Sequence, residues 1–325
     1  MSTRNRWFLA ASLLLPALVA GATIQGPELG YVFDSAKGEL RPILGIPGAA
    51  VLGKPLALGV ELRNVAVSPL QDYVLALGSE HNQAMVFTMS HSPLTPVMVE
   101  GADRGAGQIV ISARGQAAAL YYKDASRIEV VTGLPAAPKV SSELYLTAGQ
   151  NLTAIAVGDD GRTVLAAAGD RVFEAATGGE VPVLKDLGHV TAITIPAAGT
   201  ALVADSGRNQ IVRVRGIGTG IESDVIAGPK EGISMPVAVA VSLDGSRAFV
   251  ANAKSGKVST IDLKTEAAII STACACTPTG LDRLAGNEVF RLTEVTSRPI
   301  WVLDAGGSET RVLFVPAEPT GSSQQ

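Results

Sequence analysis

Asp34, Asp124, Asp205 and Asn252 each end or follow a short apolar run, and Lys123, Arg208 and Lys254 stand within three residues of them. Carboxylates and amides gathered at one place can ligate a hard cation or work as general acid and base. Interleaved with Lys and Arg they make a polar surface for recognition instead. Each also has a plainer use, because Asp and Asn side chains accept hydrogen bonds from the backbone N–H groups of a turn. Position by position, turn formation is the stronger expectation. For the set, loops held on one rim of a scaffold are the expected place for a ligand.

Other chemistry finds less support. The three histidines, His81, His91 and His189, show no paired spacing for a metal on one element. No Gly-x-Ser-x-Gly nucleophile motif occurs. Neither a metal nor a cofactor is expected. Cys274 and Cys276 are the only cysteines and are separated by one residue. Three readings of the pair stand: a local staple, a redox or metal-binding pair, and two unpaired thiols. The staple is favoured, since an oxidising compartment permits it and two thiolates cannot complete a tetrahedral zinc site.

The elements that would position these residues repeat. The stretch Val241–Asn252 reads as the end of one strand, a polar turn closed by Gly245 and a second strand. The same shape recurs around Gly115, Gly161, Gly199 and Gly286, with Gln71 and Pro27 in the glycine slot of two further frames. The slots fall at 27, 71, 115, 161, 199, 245 and 286, spaced 44, 44, 46, 38, 46 and 41. A period of about 40–45 residues with strands throughout predicts an all-β propeller of four-stranded antiparallel blades. Seven frames predict seven blades, with six or eight as alternatives. The loops after the second strand of each frame then gather at one mouth, and they carry the seven polar residues named above. The first frame lacks an inner strand. Two routes to closure are open: Thr310–Pro316 crosses over to complete it, or Ala22–Gln25 supplies a short strand.

The ends bound the rest. Arg4 and Arg6, the uncharged run Trp7–Ala20 and the small residues Ala20-Gly21-Ala22 have the layout of a signal peptide spanning 1–22. At 14 residues the run is short of the roughly 20 that cross a bilayer. An exported chain, secreted or periplasmic, follows, with no integral membrane segment after cleavage. Residues 23–316 form one propeller domain and 317–325 a disordered tail. Removing 1–22 leaves 24 basic against 30 acidic residues, a net charge of −6, with Lys and Arg scattered. That balance argues against nucleic acid, which demands a basic face. Only Trp301 of the two Trp remains to offer an aromatic platform to a quinone.

Two stretches resemble known repeat families. Ala201–Gly216 is similar to an NHL repeat at Val203, Ala204, Asp205, Gly207 and Ile211, although Arg208-Asn209-Gln210 depart from the usual order. Val237–Thr265 resembles a YVTN-type repeat, with its Ser-Leu-Asp-Gly turn and Val-Ala-Asn. Both resemblances imply a β-propeller, and propellers host many unrelated activities. The expected function is a non-catalytic scaffold, a monomer, that binds a protein, peptide or glycan. The alternative is a metal-dependent hydrolase or lyase of the lactonase-like kind, with Asp34, Asp205 and Asn252 as candidate ligands.

Overall fold

The computed structural model describes residues 26–80, 82–90, 93–265 and 269–317. These residues form seven antiparallel sheets arranged as the blades of a propeller. Blade 1 holds β1 (Glu28–Asp34), β2 (Glu39–Ile46) and β3 (Ala49–Leu52). Blade 2 holds β4 (Leu62–Val67), β5 (Tyr73–Gly78), β6 (Ala84–Thr88) and β7 (Pro96–Met98), and blade 3 holds β8 (Gln108–Ile111), β9 (Ala118–Tyr122), β10 (Arg127–Thr132) and β11 (Lys139–Tyr145). Blade 4 comprises β12 (Ala154–Val157), β13 (Val164–Ala168), β14 (Arg171–Ala176) and β15 (Gly179–Leu184). Blade 5 comprises β16 (Val190–Ala197), β17 (Thr200–Asp205), β18 (Gln210–Arg215) and β19 (Glu222–Ala227). Blade 6 follows with β20 (Pro236–Val241), β21 (Arg247–Asn252), β22 (Lys257–Asp262) and β23 (Ile270–Ala273). Blade 7 ends the chain with β24 (Asp282–Arg283), β25 (Val289–Arg291), β26 (Ile300–Asp304) and β27 (Arg311–Val315).

The second strands are continuous apolar runs rather than alternating ones. Every residue of Ala201–Asp205 is buried, as is every residue of β5 and β9. Each such strand has a blade on both faces, so neither face can be polar. Ala and Val dominate there because stacked sheets lie only about 10 Å apart. Seven apolar clusters fill the seven seams between neighbouring blades.

The turns from first to second strand carry the glycine slots. Gly115, Gly161, Gly199, Gly245 and Gly286 all have positive φ, between 64° and 107°. Gln71 adopts the same left-handed conformation with φ 60°. Pro27 cannot adopt it, since the ring fixes φ near −65°, and the first frame has no such turn among the described residues.

Among the described residues, closure takes neither a crossover nor an exchanged strand. The strong C-terminal strand, β27, pairs with β26 as the outer strand of its own blade, Ile300 opposite Val315 and Asp304 opposite Arg311. The expectation that Thr310–Pro316 crosses into blade 1 is therefore corrected. The strand was needed locally, because without it β26 would present an unpaired edge. The other expected closure, Ala22–Gln25, lies outside the described residues. Blades 7 and 1 meet through side chains, with Val32, Ile43 and Ala50 against Val302 and Val315, and through a backbone hydrogen bond from Ala285 N–H to Leu29 C=O at 2.7 Å.

Among the described residues blade 1 has three strands. β1 occupies the second-strand place: its turn Asp34–Glu39 matches the turns Asp205–Gln210 and Asn252–Lys257. Its inner edge thus borders the channel directly, and Tyr31, Val32 and Phe33 line it. The outer strand of blade 6 is Ile270–Ala273; residues 266–268 lie outside the described set.

Candidate functional site

The turns between second and third strands gather on one face, and the seven predicted residues lie there in two groups. Asp34, Asp205 and Asn252 are buried. Lys123, Asp124, Arg208 and Lys254 are exposed at turn tips.

The buried three serve backbone donors. Asp205 accepts from the N–H groups of Gly188 at 3.0 Å, His189 at 2.9 Å and Arg208 at 3.1 Å, and from the Gln210 amide at 3.1 Å. Burial alone would raise its pKa, but these four bonds outweigh it and hold the carboxyl below its usual range. Asn252 has the equivalent role in the next blade. Its Oδ1 accepts from Ser234 N–H, and its amide donates to Val250 C=O and Ser259 Oγ. In both blades the side chain that ends the second strand ties down the connection entering the first. Asp34 accepts from Ala36 and Lys37 N–H within its own turn. Gly188 and Gly207 pack backbone to backbone beside Asp205; a Cβ on either would sit within 2.7 Å of the other's carbonyl carbon.

None of the seven residues lines the channel. The channel holds a cavity of about 430 Å³ displaced towards blade 1. Blades 2, 3, 5 and 6 present β-branched and alanine side chains to it, such as Val65, Ile109, Ile193 and Val239. Blade 4 contributes nothing, because Ala154–Val157 are wholly packed into the seams. Charge enters from blade 7 only. Arg291 pairs with Asp282 at 2.6 Å and Glu294 at 2.8 Å. Arg283, the last residue of β24, lies with its guanidinium carbon 4.7 Å from the Phe290 ring centroid and donates to the carbonyls of Val241 and Asn287. No carboxylate of the described residues pairs with it, and desolvation draws its pKa down to about 10.

Gln71 completes this end of the channel. Its Oε1 accepts from Tyr31 N–H at 2.8 Å, and its Nε2 donates to Arg283 C=O at 2.7 Å. One side chain from blade 2 thereby bridges blades 1 and 7, across the place where an inner strand of blade 1 would turn.

The channel residues Gln71, Arg283 and Arg291 were not among the sequence candidates. Two signals were available. Gln71 occupies a glycine slot, and Arg283 ends an inner strand where other frames have Val67, Ile111, Val157 and Val241. Among the described residues no group of three or more His, Cys, Asp or Glu is disposed to hold a metal ion; His81 and His91 lie outside that set. Cys274 and Cys276 are joined by a disulfide with Cα atoms 5.0 Å apart. It sits against Gly256 in the mouth turn of blade 6, where Cys274 N–H donates to Gly256 C=O.

Comparison with known proteins supports the architecture. A protein of unknown function from Desulfotomaculum acetoxidans superposes with a TM-score of 0.60 at 14% identity, covering 89% of this chain and 100% of that one. Virginiamycin B lyase from Staphylococcus aureus superposes with a TM-score of 0.53 at 17% identity, covering 78% of this chain and 84% of its own. The fold is a seven-bladed β-propeller. At such identities the likeness reaches no further than that. No protein-family model matches the sequence, and no curated protein does.

Proposed function

We propose that the protein is an exported, non-catalytic binding scaffold that takes a protein, peptide or glycan in the channel and at its mouth. The observation that carries this reading is the division of labour among polar groups. Asp205 and Asn252 are committed to backbone donors, while the channel keeps an open cavity among apolar side chains whose exposed lining is largely polar, with one cation, Arg283, that no carboxylate of the described residues pairs. A concave site with placed polar groups is the usual form of a ligand site. Export is included in the reading and rests on the layout of residues 1–22. So is the NHL and YVTN character of the frames, which gains support from the matching latches of Asp205 and Asn252. A single-chain ring with all seven seams filled from within favours a monomer.

The test pairs two measurements on the purified protein. Arrays of glycans and peptides are screened for saturable binding that Phe33→Arg, which puts a bulky charge into the channel, abolishes. A panel of lactones and esters is assayed with and without Mg²⁺, Ca²⁺ and Mn²⁺. Channel-dependent binding without turnover is expected. Cation-dependent turnover that Asp282→Asn abolishes overturns the scaffold reading in favour of a metal-dependent hydrolase.

A further inference from the structure

The Cys274–Cys276 disulfide lies in the connection from β23 to β24, beside the mouth turn of blade 6. Both cysteines are half-buried, and Ala273, Ala275 and Thr277 around them are exposed. The cysteine side chains rest on the apolar cluster between blades 6 and 7, as do those of Leu281, Trp301 and Val312. The flanks of this segment are held by bonds other than the S–S bond. Upstream, Ala273 pairs with Lys257 in the sheet, and Cys274 N–H donates to Gly256 C=O at 2.8 Å. Downstream, Pro278 is buried and Thr279 N–H donates to Leu292 C=O at 2.8 Å. The segment also packs on the mouth turn, since a Cβ on Gly256 would lie 3.0 Å from the Cys276 carbonyl oxygen and 3.4 Å from that of Cys274.

A disulfide resists reduction in the folded chain more than in the unfolded one by the same factor by which it stabilises the fold, because the two equilibria are linked. Loop-closure entropy makes that factor about 15 for the three-residue loop closed here, where a loop of about 100 residues would give about three thousand. The fold therefore guards this bond weakly. Exposed disulfides are the labile and regulatory ones, whereas well-guarded ones are structural.

We propose that Cys274 and Cys276 form a thiol–disulfide exchange site that accepts two electrons from a dithiol while the ring stays folded. A thiolate of the dithiol attacks one Sγ, a new S–S bond forms and the Cys274–Cys276 bond breaks. The released cysteine leaves as a thiolate and takes a proton from water. The second thiol of the donor then loses its proton and attacks its neighbouring sulfur in the mixed disulfide. The other cysteine leaves and is protonated in turn. The donor ends as a disulfide and the protein carries two thiols. A dithiol is the fitting donor for a geometric reason. After attack by a monothiol, the released cysteine stands two residues from the mixed disulfide and closes the ring again by intramolecular attack. The site lies apart from the channel and is independent of what the channel binds. Its redox state acts on the mouth, because the segment packs on the turn that carries Lys254.

The test compares the purified full chain with the free peptide Thr-Ala-Cys-Ala-Cys-Thr, residues 272–277. Both are equilibrated at neutral pH in buffers of reduced and oxidised dithiothreitol. Thiols are trapped by alkylation and counted by mass, while circular dichroism and urea unfolding follow the fold. At the midpoint the protein is expected to need a ratio of reduced to oxidised dithiothreitol about fifteenfold higher than the peptide does. The reduced protein is expected to keep its native circular dichroism and cooperative unfolding. The monothiol 2-mercaptoethanol, at equal thiol concentration, is expected to leave the disulfide as the main species. Reduction that occurs only in urea that unfolds the ring overturns the proposal. So does a midpoint ratio about a hundredfold or more above that of the peptide, which would make the bond a guarded, structural one. Loss of the native fold on reduction overturns it as well, and a monothiol adduct as the main product removes the preference for a dithiol on which it stands.

Discussion

The Gln71 side chain holds Tyr31 of the neighbouring blade through a 2.8 Å hydrogen bond to its backbone N–H. The same amide reaches Arg283 C=O at 2.7 Å and Ser68 C=O at 3.2 Å. Gln71 keeps a left-handed backbone to do so, at φ 60°, where a non-glycine residue costs about 1–2 kcal/mol. Its retention in a slot that glycine fills elsewhere is explained by the bridge.

Two substitutions separate the bridge from the backbone cost. Gln71→Ala removes the hydrogen bonds and keeps the strained conformation, so a loss of about 2–3 kcal/mol is expected at roughly 1 kcal/mol per bond. Gln71→Gly removes the same bonds but relieves the strain, and should lose about 1 kcal/mol less. Urea denaturation measures both. Should Gln71→Gly prove as stable as the parent or more so, the bridge contributes no net stability.

Asp205 offers a test of its role at the mouth. Asp205→Ala leaves three backbone N–H groups and the Gln210 amide without their acceptor in a buried site, and is expected to cost about 3 kcal/mol or more. Its folded pKa is depressed, so its contribution is present above the unfolded value of about 3.9 and is lost as pH falls through the folded one. The stability gap between parent and Asp205→Asn should therefore narrow on going from pH 7 to pH 3. A gap that stays constant or widens would show that the carboxylate charge is not what the four donors hold.

Among the described residues the seam between blades 7 and 1 carries ring closure without an exchanged strand. Ile43 is fully buried there, and Ile43→Ala is expected to cost about 2–5 kcal/mol. Deleting residues 308–325 removes β27, with the buried Val315 and the ring contact between Phe314 and Trp301. That truncation should abolish cooperative unfolding. If calorimetry found the deletion variant melting with the parent, the seam would have to close in some other way.

The disulfide is expected to matter little to global stability. It closes a loop of three residues, for which loop-closure entropy yields about 1.6 kcal/mol. The double variant Cys274→Ser/Cys276→Ser should melt only a few degrees lower. A far larger drop would mean that the staple holds the adjoining Gly256 turn in shape.

Much of this architecture was legible in the residues. The spacing of Gly115, Gly161, Gly199, Gly245 and Gly286 marks turns that need left-handed backbone, and each is one. Runs such as Leu202-Val-Ala-Asp205 announce strands buried on both faces. The candidate residues lie at the turns between second and third strands, but their duties were not legible. An Asp that ends a strand reads the same whether it ligates a substrate or holds Gly188 and His189, whose N–H groups arrive from 17 and 16 residues upstream.

What the sequence determined by itself is local and periodic: where each strand turns, how often the unit recurs, and that the units can cover only one another. What the tertiary structure alone decided is how the first and last units meet. Gln71 lies 40 residues from Tyr31 and 212 from Arg283, and only the closed ring brings both within reach of one side chain. Among the described residues no strand pairs with the inner edge of β1, because β27 stays with β26. Local propensity shapes each blade; the channel depends on side chains that closure of the ring alone brings within reach.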